Sequence, residues 1–165
     1  VALAGTLAGG SAYAVTENVV AEVEFIAPIT LTENATLSFG RLSTLMVGGD
    51  TVTINTDDSY TQNLPTNVAG GIQQAADLTV TATAGQAIDI EIQNVSVPAG
   101  VYTLAGWTCR YAGGADGVCD QGTPMPIAGG TVVGSSTIEV GATLTAATVV
   151  PGVQNGSFDV VVLYQ

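Results

Sequence analysis

ADLTVTATA-GQ-AIDIEIQNV, residues 76–95, decides the fold class. Leu78, Val80, Ala82 and Ala84 fall on one side of an extended chain, with Thr79, Thr81 and Thr83 on the other. Beyond Gly85-Gln86, Ile88, Ile90 and Ile92 alternate against Asp89, Glu91 and Gln93. Successive side chains of a strand point to opposite faces. Two period-two runs around a Gly-containing turn therefore predict a β-hairpin with one face in a core and one in water.

The same signature recurs outward from this stretch. TVTINT (51–56) alternates after the turn Gly48-Gly49-Asp50, and Val101 to Trp107 follows the turn Pro98-Ala99-Gly100. Ala142 to Val150 ends at Pro151-Gly152, and Asn155-Gly156 turns into SFDVVVLYQ (157–165). In that last run Phe158, Val160, Val162 and Tyr164 share the inward phase. Residues 59–76, polar and carrying Pro65, Gly70 and Gly71, read as a long surface connection with room for one short strand. No long segment shows a helical period. The expectation is an all-β fold, a β-sandwich formed by a single domain over residues 15–165.

Composition narrows the function. The 165 residues carry fourteen Asp and Glu against two Arg (Arg41 and Arg110), no Lys and no His, for a formal charge of −12. Nucleic acid needs clustered cations to neutralise phosphates, so it is not an expected partner, and anionic membrane surfaces are disfavoured on the same ground. No apolar run reaches the ~20 residues of a membrane span. A chain without His or Lys lacks the base of a Ser-His-Asp or Cys-His site. Paired carboxylates remain, but Glu22, Glu24, Asp89 and Glu91 fall on polar strand faces and Asp50, Asp57, Asp58, Asp116 and Asp120 in turns, where solvation accounts for them. The chain reads as no enzyme, and no cofactor is expected. The turn carboxylates offer hard oxygen ligands in Gly-rich loops, yet their spacing matches neither an EF-hand nor a nonapeptide repeat, so no metal site is assigned.

Cys109 and Cys119 bracket CRYAGGADGVC, whose Gly113, Gly114 and Gly117 let the loop fold back. A local disulfide is the reading, with an oxidising compartment as its consequence; two free thiols are the alternative. Trp107, Arg110 and Tyr111 on this stapled loop form a candidate surface contact for a sugar or a protein partner. Asn34, Asn94 and Asn155 each head an Asn-x-Ser/Thr sequon, which permits glycosylation without requiring it.

The first twenty-six residues, VALAGTLAGGSAYAVTENVVAEVEFI, carry no charge from Val1 to Tyr13. Their larger side chains keep the odd phase: Val1, Leu3, Leu7 and Tyr13, then Val15, Val19, Val23 and Phe25. Residues 1–14 are either the tail of a signal peptide, with Ala12-Tyr13-Ala14 as a small-x-small cleavage site, or an apolar extension that adds a strand to a neighbour's sheet. In the second reading Val1, Leu3, Leu7 and Tyr13 plug successive pockets, and Gly5 and Gly9 sit where pockets are shallow.

The ending GSFDVVVLYQ (156–165) resembles the last strand of chaperone–usher pilins, an alternating apolar strand with a penultimate tyrosine, here Tyr164. FIAPITLTENATLSFG (25–40) and VGATLTAATVVPGVQNGSFDVVVLY (140–164) also look like a broad family of bacterial secreted all-β domains of unknown function. The pilin resemblance implies an incomplete immunoglobulin-like sandwich completed by a strand donated from the next subunit. It further implies a head-to-tail homopolymer at the cell surface, exported through the periplasm with a chaperone and an outer-membrane usher. The competing expectation is a monomeric secreted binding module that uses the Cys109–Cys119 loop.

Overall fold

The structure is a computed structural model and describes residues 20–165. Twelve strands follow in chain order: β1 Thr30–Ala35, β2 Ser38–Leu42, β3 Thr51–Ile54, β4 Tyr60–Gln62, β5 Val68–Gln74, β6 Ala76–Thr81, β7 Ile88–Ser96, β8 Tyr102–Tyr111, β9 Asp116–Val118, β10 Met125–Ile127, β11 Ser135–Ala146 and β12 Ser157–Tyr164. A 3-10 turn, Gly129–Thr131, is the only helical element among the described residues. The protein is all-β, as the alternation requires.

The strands form a seven-stranded sheet, a three-stranded sheet β10-β7-β12 and a two-stranded sheet β2-β5. The first is built on β11. One edge of β11 carries β6 over Ser135–Val140 and β3 over Ala142–Thr145; the other carries β8. β1 then extends β6, β4 extends β3, and β9 extends β8. Gly141 sits where the neighbour changes, and a Cβ there would lie 2.4 Å from the Ile54 carbonyl oxygen. Across from it, Gly106 takes φ +62° where the β8–β11 register slips. Both positions require glycine for space or for backbone.

The sandwich core lies between the seven-stranded sheet and β10-β7-β12. Leu78 and Val80 of β6, Ile138, Val140 and Ala142 of β11, and Cys109 of β8 meet Ile88, Ile90 and Ile92 of β7 and Val162 of β12. The three isoleucines of β7 are fully buried, each stabilising the fold by about 1.5–3 kcal/mol. Their strand neighbours on the opposite face, Asp89, Glu91 and Gln93, are half-buried at the surface.

Residues 76–95 do not form the expected hairpin. β6 pairs with β1 and β11, whereas β7 pairs with β10 and β12, so the Thr83–Gln86 turn carries the chain from one sheet to the other. The physical reason is that both runs bury their apolar faces in the same core from opposite sides. Alternation fixes which face of each run is buried and is silent on whether the two share a ladder. The Gly85 N–H donates to the Val132 carbonyl, which seats the arch.

The odd-phase strand expected over Val15–Phe25 is also corrected within the described part. Val20–Ile29 carries no strand, and Val23 and Phe25 are 74% and 88% exposed. Pairing begins only at Thr30. The connection expected over residues 59–76 holds two strands, β4 and β5, in place of one at most.

Candidate functional site

β12 begins after the Asn155-Gly156 turn and places Phe158, Val160, Val162 and Tyr164 on the core side, Val162 buried and the others half-buried, as the sequence pattern requires. Trp107 and Phe158 rings meet at 4.6 Å between centroids. Among the described residues β12 pairs with β7 alone. β2 likewise pairs with β5 alone, and its other edge is free among the described residues.

Between these two edges lies a cleft of about 860 Å³. One wall is β2, with Phe39 and Leu42; the opposite rim is Gln154–Gly156 and Phe158 at the start of β12. Tyr102, Leu104, Leu144 and Met46 form the floor, and all but Met46 belong to the central strands β8 and β11. A second small core of Met46, Val52, Leu144 and Ala146 underlies it. Asp50 and Asn67, at 5% and 1% exposure, hold the flanking loops. The Asp50 carboxylate accepts from Val47 N–H at 2.9 Å and from the Asn63 amide at 3.3 Å, and the Asn67 amide donates to Asn63 at 2.7 Å. Both carboxylate oxygens of Asp50 and the Asn63 and Asn67 amide groups donate or accept within this network, so the segment carrying Met46 is held by hydrogen bonds as well as by packing.

The floor of the cleft is apolar and its lining is free of carboxylates; Arg41 is its one charged lining residue. Burial on the cleft floor pushes the Tyr102 phenol above the usual tyrosine value. What such a site accepts follows from its parts. Among the described residues the outer edge of β2 and the start of β12 have no strand partner beside an apolar floor, and an extended peptide meets both demands, hydrogen bonding along its backbone and burying alternate side chains.

The Cys109–Cys119 disulfide is formed, with Cα atoms 5.9 Å apart and both residues fully buried. It joins β8 to the segment after β9. The surface contact expected beside it is corrected. Trp107 and Tyr111 are 4% and 6% exposed and belong to the main core, because β8 turns this phase inward. Arg110, on the outward phase, donates to the Thr56 carbonyl at 2.7 Å and lies 3.5 Å from Glu139. The three residues share a strand, and the fold gives them no common exposed face.

The turn carboxylates take protein partners. Asp57 accepts from the Ser59 hydroxyl and N–H, which hold it below the usual carboxylate value, Asp58 from Ala75 N–H, Asp116 from the Thr56 hydroxyl and Asp120 from Trp107 N–H. No group of three metal-ligating side chains occurs among the described residues. At the sequons, the Asn34 and Asn94 amides donate to Asp77 and Thr79, and to Asp159, respectively. The expected donor residues Val1, Leu3, Gly5, Leu7, Gly9 and Tyr13 lie outside the described residues.

The cleft floor was missed in the sequence, although its signal exists. Leu37 and Phe39, and Tyr102 and Leu104, each sit two apart in short runs whose apolar phase has no assigned counterpart. Fold and cleft together define an all-β sandwich in which, among the described residues, β2 and β12 each keep one edge without a strand partner. Residues 29–164 match the family described as Domain of unknown function (DUF4402), and the chain belongs to that family. No curated protein and no solved structure matches it.

Proposed function

We propose that the protein is the structural subunit of an extracellular filament, in which residues 1–14 of one copy enter the cleft of the next. The observation that carries this reading is that, among the described residues, β2 and β12 each leave one edge without a strand partner beside one cleft with an apolar floor. A strand laid between them would join β10-β7-β12 and β2-β5 into one continuous sheet opposite the seven-stranded one. The uncharged, alternating character of Val1–Tyr13 suits a cleft without carboxylates. Each copy brings one strand and one cleft, so the contact is heterologous and propagates.

Supply of a periplasmic chaperone and an outer-membrane usher belongs to this reading through the pilin resemblance, and the disulfide fits maturation in an oxidising compartment. The binding-module alternative loses its contact surface with the burial of Trp107 and Tyr111.

The test is electron microscopy of the purified full chain beside Leu7→Asp. Filaments from the parent protein and none from the variant are expected, because the variant places a carboxylate without a partner in an apolar cleft. Filaments of unchanged abundance from Leu7→Asp would count against donation by this segment.

A further inference from the structure

The root of the N-terminal arm is tied down by a ring of hydrogen bonds built on two hydroxyl groups, those of Tyr164 and Thr83. Tyr164 at the end of β12 accepts a hydrogen bond from Thr83 N–H at 2.7 Å and donates one to the Ala27 carbonyl at 2.8 Å. Ala27 N–H in turn donates to Thr83 Oγ1 at 2.8 Å, and the Gln86 amide reaches Glu24 at 2.9 Å. Both backbone groups of Ala27 are thus engaged, and Pro28 holds residue 27 extended. Before this ring the chain runs exposed, with Val20, Val23 and Phe25 at 83%, 74% and 88%.

Its position matters as much as its bonds. Thr81, two residues before Thr83, pairs with Ser135 at the start of β11. The cleft lies against Tyr102, Leu144 and Ala146 at the other end of that strand. Eleven steps along β11, at about 3.4 Å each, separate the two ends by about 37 Å. β12 runs the same way over a shorter distance: Phe158 rims the cleft, and six steps or about 20 Å further on Tyr164 grips the arm.

We infer that Tyr164 is a positioning residue for assembly: its hydroxyl fixes the arm root at the pole opposite the cleft, so that the arm is presented outward to a second copy. This rests on the filament reading above. A fixed root gives every contact between copies the same displacement and direction, which a regular filament requires. A loose root would leave the arm attached and the cleft unchanged, but would let the arm turn back along the body toward its own cleft.

The experiment uses the full chain, with Tyr164→Phe and, independently, Thr83→Val, which remove the two hydroxyl groups of the ring. Each variant is followed by hydrogen exchange at the Ala27 and Thr83 amides, by urea unfolding and by electron microscopy. In Tyr164→Phe, exchange at Thr83 rises about five- to tenfold, the effect of one lost hydrogen bond, while urea unfolding stays cooperative with the parent m-value. Filaments become shorter and irregular in both variants. Unchanged exchange overturns the clamp. Faster exchange with filaments of parental length and regularity overturns its role in assembly. The parent reading is tested separately by adding a synthetic peptide of residues 1–14 to the unmodified chain. Its failure to bind or to cap growth removes the donated strand and leaves the clamp to be judged on exchange alone. A Tyr164→Phe protein that does not fold shifts the decision to Thr83→Val.

Discussion

Replacing both Cys109 and Cys119 by alanine should cost about 4 kcal/mol and leave assembly intact. The sequence separation of 10 enters the chain-entropy expression as a loop contribution of about 2.7 kcal/mol at 25 °C. Both cysteines are fully buried, so each lost sulfur adds about 0.8 kcal/mol of transfer free energy, by analogy with a methylene. For a chain of this size that corresponds to a melting point lower by about 8–16 °C. Urea unfolding with a common m-value is the measurement, supported by a thermal melt. The cleft should be spared, since the disulfide sits at the Cys109 end of β8 and the cleft at the Tyr102 end. On the filament reading proposed above, the folded double variant should therefore still assemble below its own melting point. A loss under about 1 kcal/mol would refute the reasoning, showing that the β8–β9 ladder closes the loop without the covalent bond. Loss of assembly with an intact fold would refute the separation of the two regions.

Gly141→Ala should destabilise by about 1–3 kcal/mol in urea, because its Cβ meets backbone, the Ile54 carbonyl, which cannot rotate away; a neutral outcome would mean that β3 can slide relative to β11. Tyr102 gives the protein a pH dependence at the alkaline end. Its folded pKa lies above the unfolded value of about 10, so its contribution is complete below that pH and is lost as the pH rises through the folded value. Urea midpoints across the alkaline range should fall less steeply for Tyr102→Phe than for the parent, and identical slopes would exclude the residue as the cause.

How much of this was legible in the sequence depended on what each residue pattern encodes. Face assignment was readable: Ile88, Ile90 and Ile92 and the inward phase of β12 lie where alternation places them, because a strand's period does not depend on its neighbours. Pairing was not. The arch at Thr83–Gln86 and a hairpin have the same local sequence, and only the facing sheet decides between them. Trp107 and Tyr111 were misjudged because a Gly-rich loop beside them suggested exposure, whereas their odd phase on β8 turns them inward. The disulfide was readable from its glycines and spacing. The cleft was not, since its walls come from β2, β8, β11 and the start of β12, which are far apart in sequence and meet only in the folded sheet.

The place of β11 also sets a timetable. It is the eleventh strand to be made, yet β3, β6 and β8 all wait for it as their common partner. Before residues 135–146 emerge, β1-β6 and β3-β4 are isolated pairs with no sheet between them, and two-stranded units are marginal in water. Folding is therefore a late and nearly concerted event dominated by contacts distant in sequence, the regime in which barriers are high and folding takes milliseconds to seconds. Until then the chain exposes the alternating apolar strands that will become its interior, and a nascent copy is an aggregation hazard until β11 and β12 have been made.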